Sequence, residues 1–260
     1  MSELISIQNL KKTYPTRAGP LHAVGPIDLS VRQGEFISIV GPSGCGKSTL
    51  LLMIAGLLKF EEGQIRINES LVTGPQTDIG IVFQTPVLVD WRDALGNVLL
   101  QIEMRKLNKN DYVDRARQLL DSVGLKDFEK RYPYELSGGM QQRTAFCRAL
   151  IHDPPLVLMD EPLGALDAMT REQLRIDLEQ LWLQTKKTVI FVTHSIAESV
   201  QLSDRIAVFT PRPGKIERII DIDLPRPRNM EVRESQKFQQ YVHELTNIFM
   251  GFGVLRENVK

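Results

Sequence analysis

Gly41-Pro42-Ser43-Gly44-Cys45-Gly46-Lys47-Ser48 is the stretch that decides the fold. It obeys the pattern G-x4-G-K-[ST], and it stands between an apolar run, Phe36-Ile37-Ser38-Ile39-Val40, and an apolar segment, Leu50-Leu51-Leu52-Met53-Ile54-Ala55, that reads as a buried helix. Strand, glycine loop, helix is the setting a phosphate loop needs. Glycines let backbone N–H groups wrap around phosphate oxygens, and the positive end of the following helix favours the anion. In that arrangement Lys47 reaches the β and γ phosphates, Ser48 ligates Mg2+, and Pro42, Ser43, Cys45 and Thr49 complete the cradle. The segment therefore implies nucleoside triphosphate binding. The same helix end and Lys47 favour the thiolate of Cys45, which is expected to be the more reactive of the chain's 2 cysteines; Cys147 lies on an apolar helical segment.

Outward from the loop, Ile5-Ser6-Ile7 and Ile27-Asp28-Leu29-Ser30-Val31 alternate as half-buried antiparallel strands do, with a loop between them. Further short strands read at Gln64-Ile65-Arg66-Ile67, Ile79-Gly80-Ile81-Val82-Phe83, Leu156-Val157-Leu158-Met159, Val189-Ile190-Phe191-Val192 and Arg205-Ile206-Ala207-Val208-Phe209. The fully apolar ones suit a parallel sheet covered on both faces. Residues 86–155 carry helical spacing and read as an inserted helical subdomain. Leu174, Leu178, Leu181 and Trp182 fall on one helical face, and Phe238, Tyr241, Val242, Leu245 and Phe249 on another near the C-terminus.

Composition excludes several classes. The 260 residues are 42% hydrophobic and 25% charged, with 32 Lys+Arg against 32 Asp+Glu, so neither a disordered chain nor a basic nucleic-acid footprint is expected. Two cysteines leave no material for a disulfide framework or a zinc cluster. The longest apolar run, residues 50–58, is far short of the roughly 20 residues that cross a bilayer. No secretory signal is visible, and a cytosolic location is expected.

Two more stretches carry chemistry. Leu156-Val157-Leu158-Met159 ends in Asp160-Glu161, which puts two carboxylates where ligands of parallel sheets sit: one for a metal, the other to polarise a water. By local chemistry alone this pair also suits a helix N-cap. In Leu136-Ser137-Gly138-Gly139-Met140-Gln141-Gln142-Arg143, Ser137 reads as an N-cap and the glycines would let backbone amides approach an anion; a plain glycine loop before a capped helix is the local alternative.

Taken together, these segments resemble the ATP-binding cassette (ABC) ATPases. The glycine loop is similar to the family's Walker A, Leu156 with its neighbours to the Walker B strand, the stretch at Ser137 to the signature sequence, and Gly164-Ala165-Leu166-Asp167 to the D-loop. The resemblance covers about residues 5–215. Met140 and Gly164 depart from the family's usual Gln and Ser, and neither change removes a catalytic group. The resemblance implies an α/β fold, a P-loop NTPase core of ABC type with a parallel sheet, an N-terminal antiparallel β element and an inserted helical subdomain. It implies ATP and Mg2+ as ligands, Glu161 as the water-polarising carboxylate, and Gln84 and His194 as residues reporting on the γ phosphate. Ser48, Gln84 and Asp160 would serve the metal, while Tyr14 would stack on adenine or else serve as an ordinary packing aromatic. Residues 41–49, Ser137, Gly138, Gly139 and Asp167 would serve the nucleotide.

It also implies a homodimer clamping two ATP, membrane permease subunits docked near residues 85–97, an indirectly coupled solute-binding protein, no nucleic acid, and a peripheral position on the cytoplasmic face of the inner membrane. Trp91 is either a contact for the permease or an internal packing residue. The expected division is 1–224 for the ATPase domain, with its helical subdomain at about 86–155, and 225–260 for a helical extension. Within the family the chain most resembles the nitrate, sulfonate and taurine importer branch. An exporter or lipid-trafficking ATPase shares every catalytic motif, whereas DNA-repair cassettes usually carry insertions this chain lacks. A P-loop kinase or GTPase leaves the signature helix and His194 unexplained.

Overall fold

A computed structural model describes residues 2–255. Along the chain run β1 (Glu3–Thr16), β2 (Gly19–Arg32), β3 (Phe36–Val40), α1 (Lys47–Ile54), β4 (Glu62–Ile67), β5 (Ser70–Leu71), β6 (Ile79–Val82), α2 (Ala94–Met104), α3 (Val113–Ser122), α4 (Gly138–Leu150), β7 (Leu156–Asp160), α5 (Ala168–Thr185), β8 (Thr188–Thr193), α6 (Ile196–Leu202), β9 (Arg205–Phe209), β10 (Ile216–Asp221), α7 (Met230–Glu234) and α8 (Gln236–Gly251). They fall into two compact units, one holding the chain up to Thr77 and from Thr188 onward, the other Asp78–Lys187.

In the first unit β1 and β2 form one long antiparallel hairpin, closed where Thr16 faces Gly19, and β4 lies on the other edge of β1. The loop expected between the first two strands shrinks to a tight turn. Register shifts between Ile7 and Leu10 and again around Lys12 explain the difference, because each shift moves side chains to the opposite face and breaks the alternation that marks a strand. The second sheet of this unit places β3 in parallel between β8 and β9, with β10 antiparallel on β9. Every residue of β3 and β8 is buried, and Ser38, the polar residue inside β3, shares a hydrogen bond with Ser203.

Val40, Val200, Ile206, Val208, Phe238, Leu245 and Phe249 share one cluster, so α8 packs its apolar face onto the sheet and α6. A buried arginine fastens the chain ahead of α7. Arg228 donates to the carbonyls of Val200, Gln201 and Ser203 at 2.8, 3.1 and 2.7 Å, meeting the bare C-terminal end of α6 with a positive charge.

In the second unit β6 and β7 pair in parallel. Val98, Leu99 and Ile102 of α2, Ala116 and Leu120 of α3, and Cys147 of α4 bury one common core, the expected helical insertion. Leu174, Leu178, Leu181 and Trp182 of α5 are all buried.

Candidate active site

In the first unit three neighbouring parallel strands end together. Val40 of β3 faces Thr193 of β8 and Val208 of β9, so the glycine loop, His194 and the turn after β9 leave adjacent strand ends, the edge where ligands of such sheets bind. Gly46 opens α1 at φ 104° with no side-chain cap among the described residues, and no acidic residue stands in the first turn. The positive end of α1 is thus left for an anion. Lys47 is buried, and its ammonium donates to the carbonyls of Gly41 and Pro42 at 2.9 and 3.0 Å. Ser43, Gly44 and Ser48 are exposed. Tyr14 is held at the same place: its hydroxyl lies 3.4 Å from Thr49 Oγ1, and the Lys12 ammonium sits 5.1 Å from its ring centroid. His194 is exposed, followed at once by Ser195, which caps α6 by accepting from the Glu198 N–H.

Both cysteines are buried, Cys45 at 1% and Cys147 at 0% exposure, so the expected ready reaction of Cys45 has to wait for the loop to open. Burial pushes the Cys147 thiol up to about 12. At pH 8 its thiolate fraction is on the order of 10⁻⁴. Maleimide should therefore leave Cys147 unmodified in the native protein and modify it after denaturation; prompt native labelling of Cys147, mapped by mass spectrometry, would contradict its burial.

In the second unit the register Val82 to Met159 brings the ends of β6 and β7 side by side, and with them Gln84 and the pair Asp160-Glu161. Glu161 adopts φ 45°, a left-handed conformation uncommon outside glycine, and its carbonyl accepts from the Gly164 N–H at 3.0 Å. A Cβ on Gly164 would lie 3.4 Å from Gln84 Nε2 and 3.3 Å from the Glu161 carbonyl, so Gln84 and Glu161 border one tight turn.

Ser137 caps α4, accepting from the Met140 N–H at 3.3 Å, and together with Gly138 it is exposed. Gly139 is buried instead: a Cβ there would fall 2.3 Å from Thr170 Cγ2, so its small size serves the approach of α5. Asp167 caps α5, and the hydrogen bonds from Thr170 hold its carboxyl below the usual carboxylate range. Asn97 is fully buried and ties the segment before α2, accepting from Val89 N–H at 2.7 Å and donating to the carbonyls of Val89, Arg92 and Asp93. That brace leaves Trp91 79% exposed, not packed inside this chain.

Residues the sequence did not single out also act here. Gln142 is buried and donates to the Phe83 carbonyl at 3.1 Å, tying α4 to the residue before Gln84. Arg148 donates to the carbonyls of Pro86 and Val87 at 2.7 Å each.

A family model described as ABC transporter matches residues 24–164. The chain belongs to the ABC transporter family of ATP-binding proteins. Members of this family hydrolyse ATP to drive transport, and this ABC ATPase has full-length relatives. It is 46% identical over 248 residues to an uncharacterized ABC transporter ATP-binding protein of Methanocaldococcus jannaschii, covering 95% of this chain and 92% of that one. A taurine import ATP-binding protein of Jannaschia sp. is 41% identical over 251 residues, 93% of this chain and 92% of the relative. An aliphatic sulfonates import ATP-binding protein of Bacillus thuringiensis is 39% identical over 256 residues, 98% and 99% of the two chains. Among solved structures, a dimeric ATP-binding cassette in a post-hydrolysis state with ADP and Pi superposes with a TM-score of 0.74 at 34% identity, covering 84% of this ABC ATPase and 99% of that chain.

Proposed function

We propose that this chain is the ATP-hydrolysing subunit of an importer for small sulfonates of the taurine type, working as a homodimer beneath a membrane permease. The carrying observation is full-length identity of about 40% to taurine and aliphatic sulfonate import proteins. Among the described residues no helix is long and apolar enough to cross a membrane, consistent with a peripheral subunit that needs a separate permease.

The residues present fit the ligand. The uncapped end of α1 and the exposed rim at Ser43, Gly44 and Ser48 suit a polyphosphate, and Lys47 already stands inside the loop on two carbonyls. Tyr14 would stack on the adenine. Among the described residues no cluster of His, Cys, Asp and Glu forms a metal cage, as expected for Mg2+, which takes one or two protein ligands and the nucleotide's own oxygens. Ser48, Asp160 and Gln84 would hold it, and it would neutralise charge on the β and γ oxygens.

Lys47 and the loop amides orient the triphosphate. Glu161 accepts a proton from water as that water's oxygen bonds to the γ phosphorus, and ADP departs as the β–γ bridging bond breaks. His194 donates to a γ oxygen. Ser137, Gly138 and Gly139 of the partner subunit approach the same γ phosphate with Asp167 at the seam, so ATP closes the dimer and hydrolysis reopens it. Residues 85–97, with Trp91 outward, form the surface offered to the permease, and residues 225–260, of which 256–260 lie outside the described residues, serve as an extension to the ATPase domain.

The test is uptake. The chain, co-purified with a candidate sulfonate permease and placed in proteoliposomes with a sulfonate-binding protein, should import taurine or an alkanesulfonate with ATP on the side of this subunit. Outward movement of the solute, or ATP consumption indifferent to every sulfonate tried, would overturn the importer reading.

A further inference from the structure

The turn after β9 touches the phosphate loop more closely than a mere connection requires. Arg212 points both Nε and Nη2 at the Gly44 carbonyl, at 3.2 and 2.9 Å. Two residues on, a Cβ at Gly214 would fall 2.0 Å from the Cys45 carbonyl, so the turn's backbone lies directly against the loop. Gly214 in turn donates to the Ala23 carbonyl at 3.0 Å and accepts from the Gly25 N–H at 2.9 Å. The same end of β2 presses on the loop from its other side, where a Cβ at Gly46 would lie 2.6 Å from Val24 Cγ2 and 2.8 Å from the Ala23 carbonyl. The turn itself is closed by Thr210, which donates to Pro213 and accepts from the Lys215 N–H at 3.0 and 3.1 Å. Three segments remote in sequence thus meet at residues 44–46.

A loop that turns its N–H groups inward toward an anion must turn carbonyls outward, and an outward carbonyl needs a partner. Gly44 stands at φ 74°, free to rotate as few residues are, and the guanidinium supplies that partner. Because the trans peptide is planar, fixing the Gly44 carbonyl also fixes the Cys45 N–H pointing the opposite way. That N–H donates at 3.4 Å to the Pro42 carbonyl, which also takes the Lys47 ammonium, a long bond that a phosphate oxygen can replace. The positive charge on the carbonyl polarises the same peptide and makes its N–H a better donor.

We propose that Arg212 is a positioning residue for nucleotide binding, holding the Gly44–Cys45 peptide of the phosphate loop so that its N–H is presented to the polyphosphate, with the turn at residues 210–214 as the loop's outer support. The proposal rests on the reading of residues 41–49 as the ATP site.

The experiment compares the full-length wild type with Arg212→Ala, Arg212→Lys and Lys47→Ala in titrations with MgATP and MgADP. Unliganded melting and steady-state hydrolysis are recorded alongside. Arg212 is exposed, so the unliganded melting midpoint of Arg212→Ala should stay within about 1 °C of wild type. Its dissociation constants for both nucleotides should rise about tenfold, and its KM for ATP should rise by more than kcat falls. Arg212→Lys keeps the charge but not the planar fork, and should recover less than half of the loss on a logarithmic scale. Affinities of Arg212→Ala within twofold of wild type, or full recovery by lysine, would overturn the proposal. Should Lys47→Ala abolish binding while Arg212→Ala does not alter it, only the role of Arg212 falls; should neither matter, the ATP site itself has been misplaced.

Discussion

Glu161→Gln is expected to bind MgATP within about twofold of wild type and to hydrolyse it about 10²–10⁴-fold more slowly, a barrier increase of roughly 3 to 5.5 kcal/mol. The reason lies in how the residue is held. It follows the last residue of β7 in a left-handed conformation, and the turn to Gly164 closes on its carbonyl. Glutamine matches glutamate in size and can occupy the same turn, yet its amide cannot take the proton of an attacking water. With hydrolysis stopped, MgATP should hold two copies together for minutes, visible as a dimer in sedimentation that ADP does not produce. Single-turnover hydrolysis near the wild-type rate would show that another group accepts the proton.

Lys47→Ala should weaken MgATP binding by at least about 100-fold, or roughly 2.7 kcal/mol. The ammonium is buried at 4% exposure and donates to two loop carbonyls, which hold it inside the phosphate loop where a triphosphate would bind with charge-assisted hydrogen bonds. Equilibrium titration is the check, and a dissociation constant within tenfold of wild type would remove Lys47 from the phosphate site. One variant changes the first residue of α1 and the other the residue after β7, so together they separate binding from chemistry.

Much of this was legible in the sequence because the decisive residues are local. Residues 41–48 declare a strand-to-helix turn by spacing alone, and apolar runs such as Val189–Val192 of β8 announce strands covered on both faces. The heptad-like spacing of Leu174, Leu178 and Leu181 likewise marks the face of α5 that is buried. What escaped reading depends on contacts between remote segments. The bulges of β1 follow from its two partners, and β10 buries only Ile220, so neither shows clean alternation. Gly139 reads from sequence only as a glycine that lets backbone amides approach an anion, and the packing demand added by Thr170, whose Cγ2 lies 2.3 Å from where a Cβ would stand, has no local signal. Gln142 and Arg212 each reach a backbone carbonyl far along the chain, 59 and 168 residues away, and no local pattern signals such a partner.

The arrangement across two copies is tested most directly by mixing mutants. Ser137 and Gly138 are exposed at the start of α4, and α1 already offers its own positive end to the nucleotide of its own chain. A second helix end is best used on the γ phosphate held by another copy, so that each site takes Lys47 from one chain and Ser137 from the other. Lys47→Ala and Ser137→Arg should each disable both sites of a homodimer. A mixed dimer of the two, purified by different tags, pairs an intact Lys47 with an intact Ser137 once and should occlude one ATP per dimer. Occlusion by the mixed dimer no greater than by either mutant homodimer would contradict a nucleotide shared between two chains.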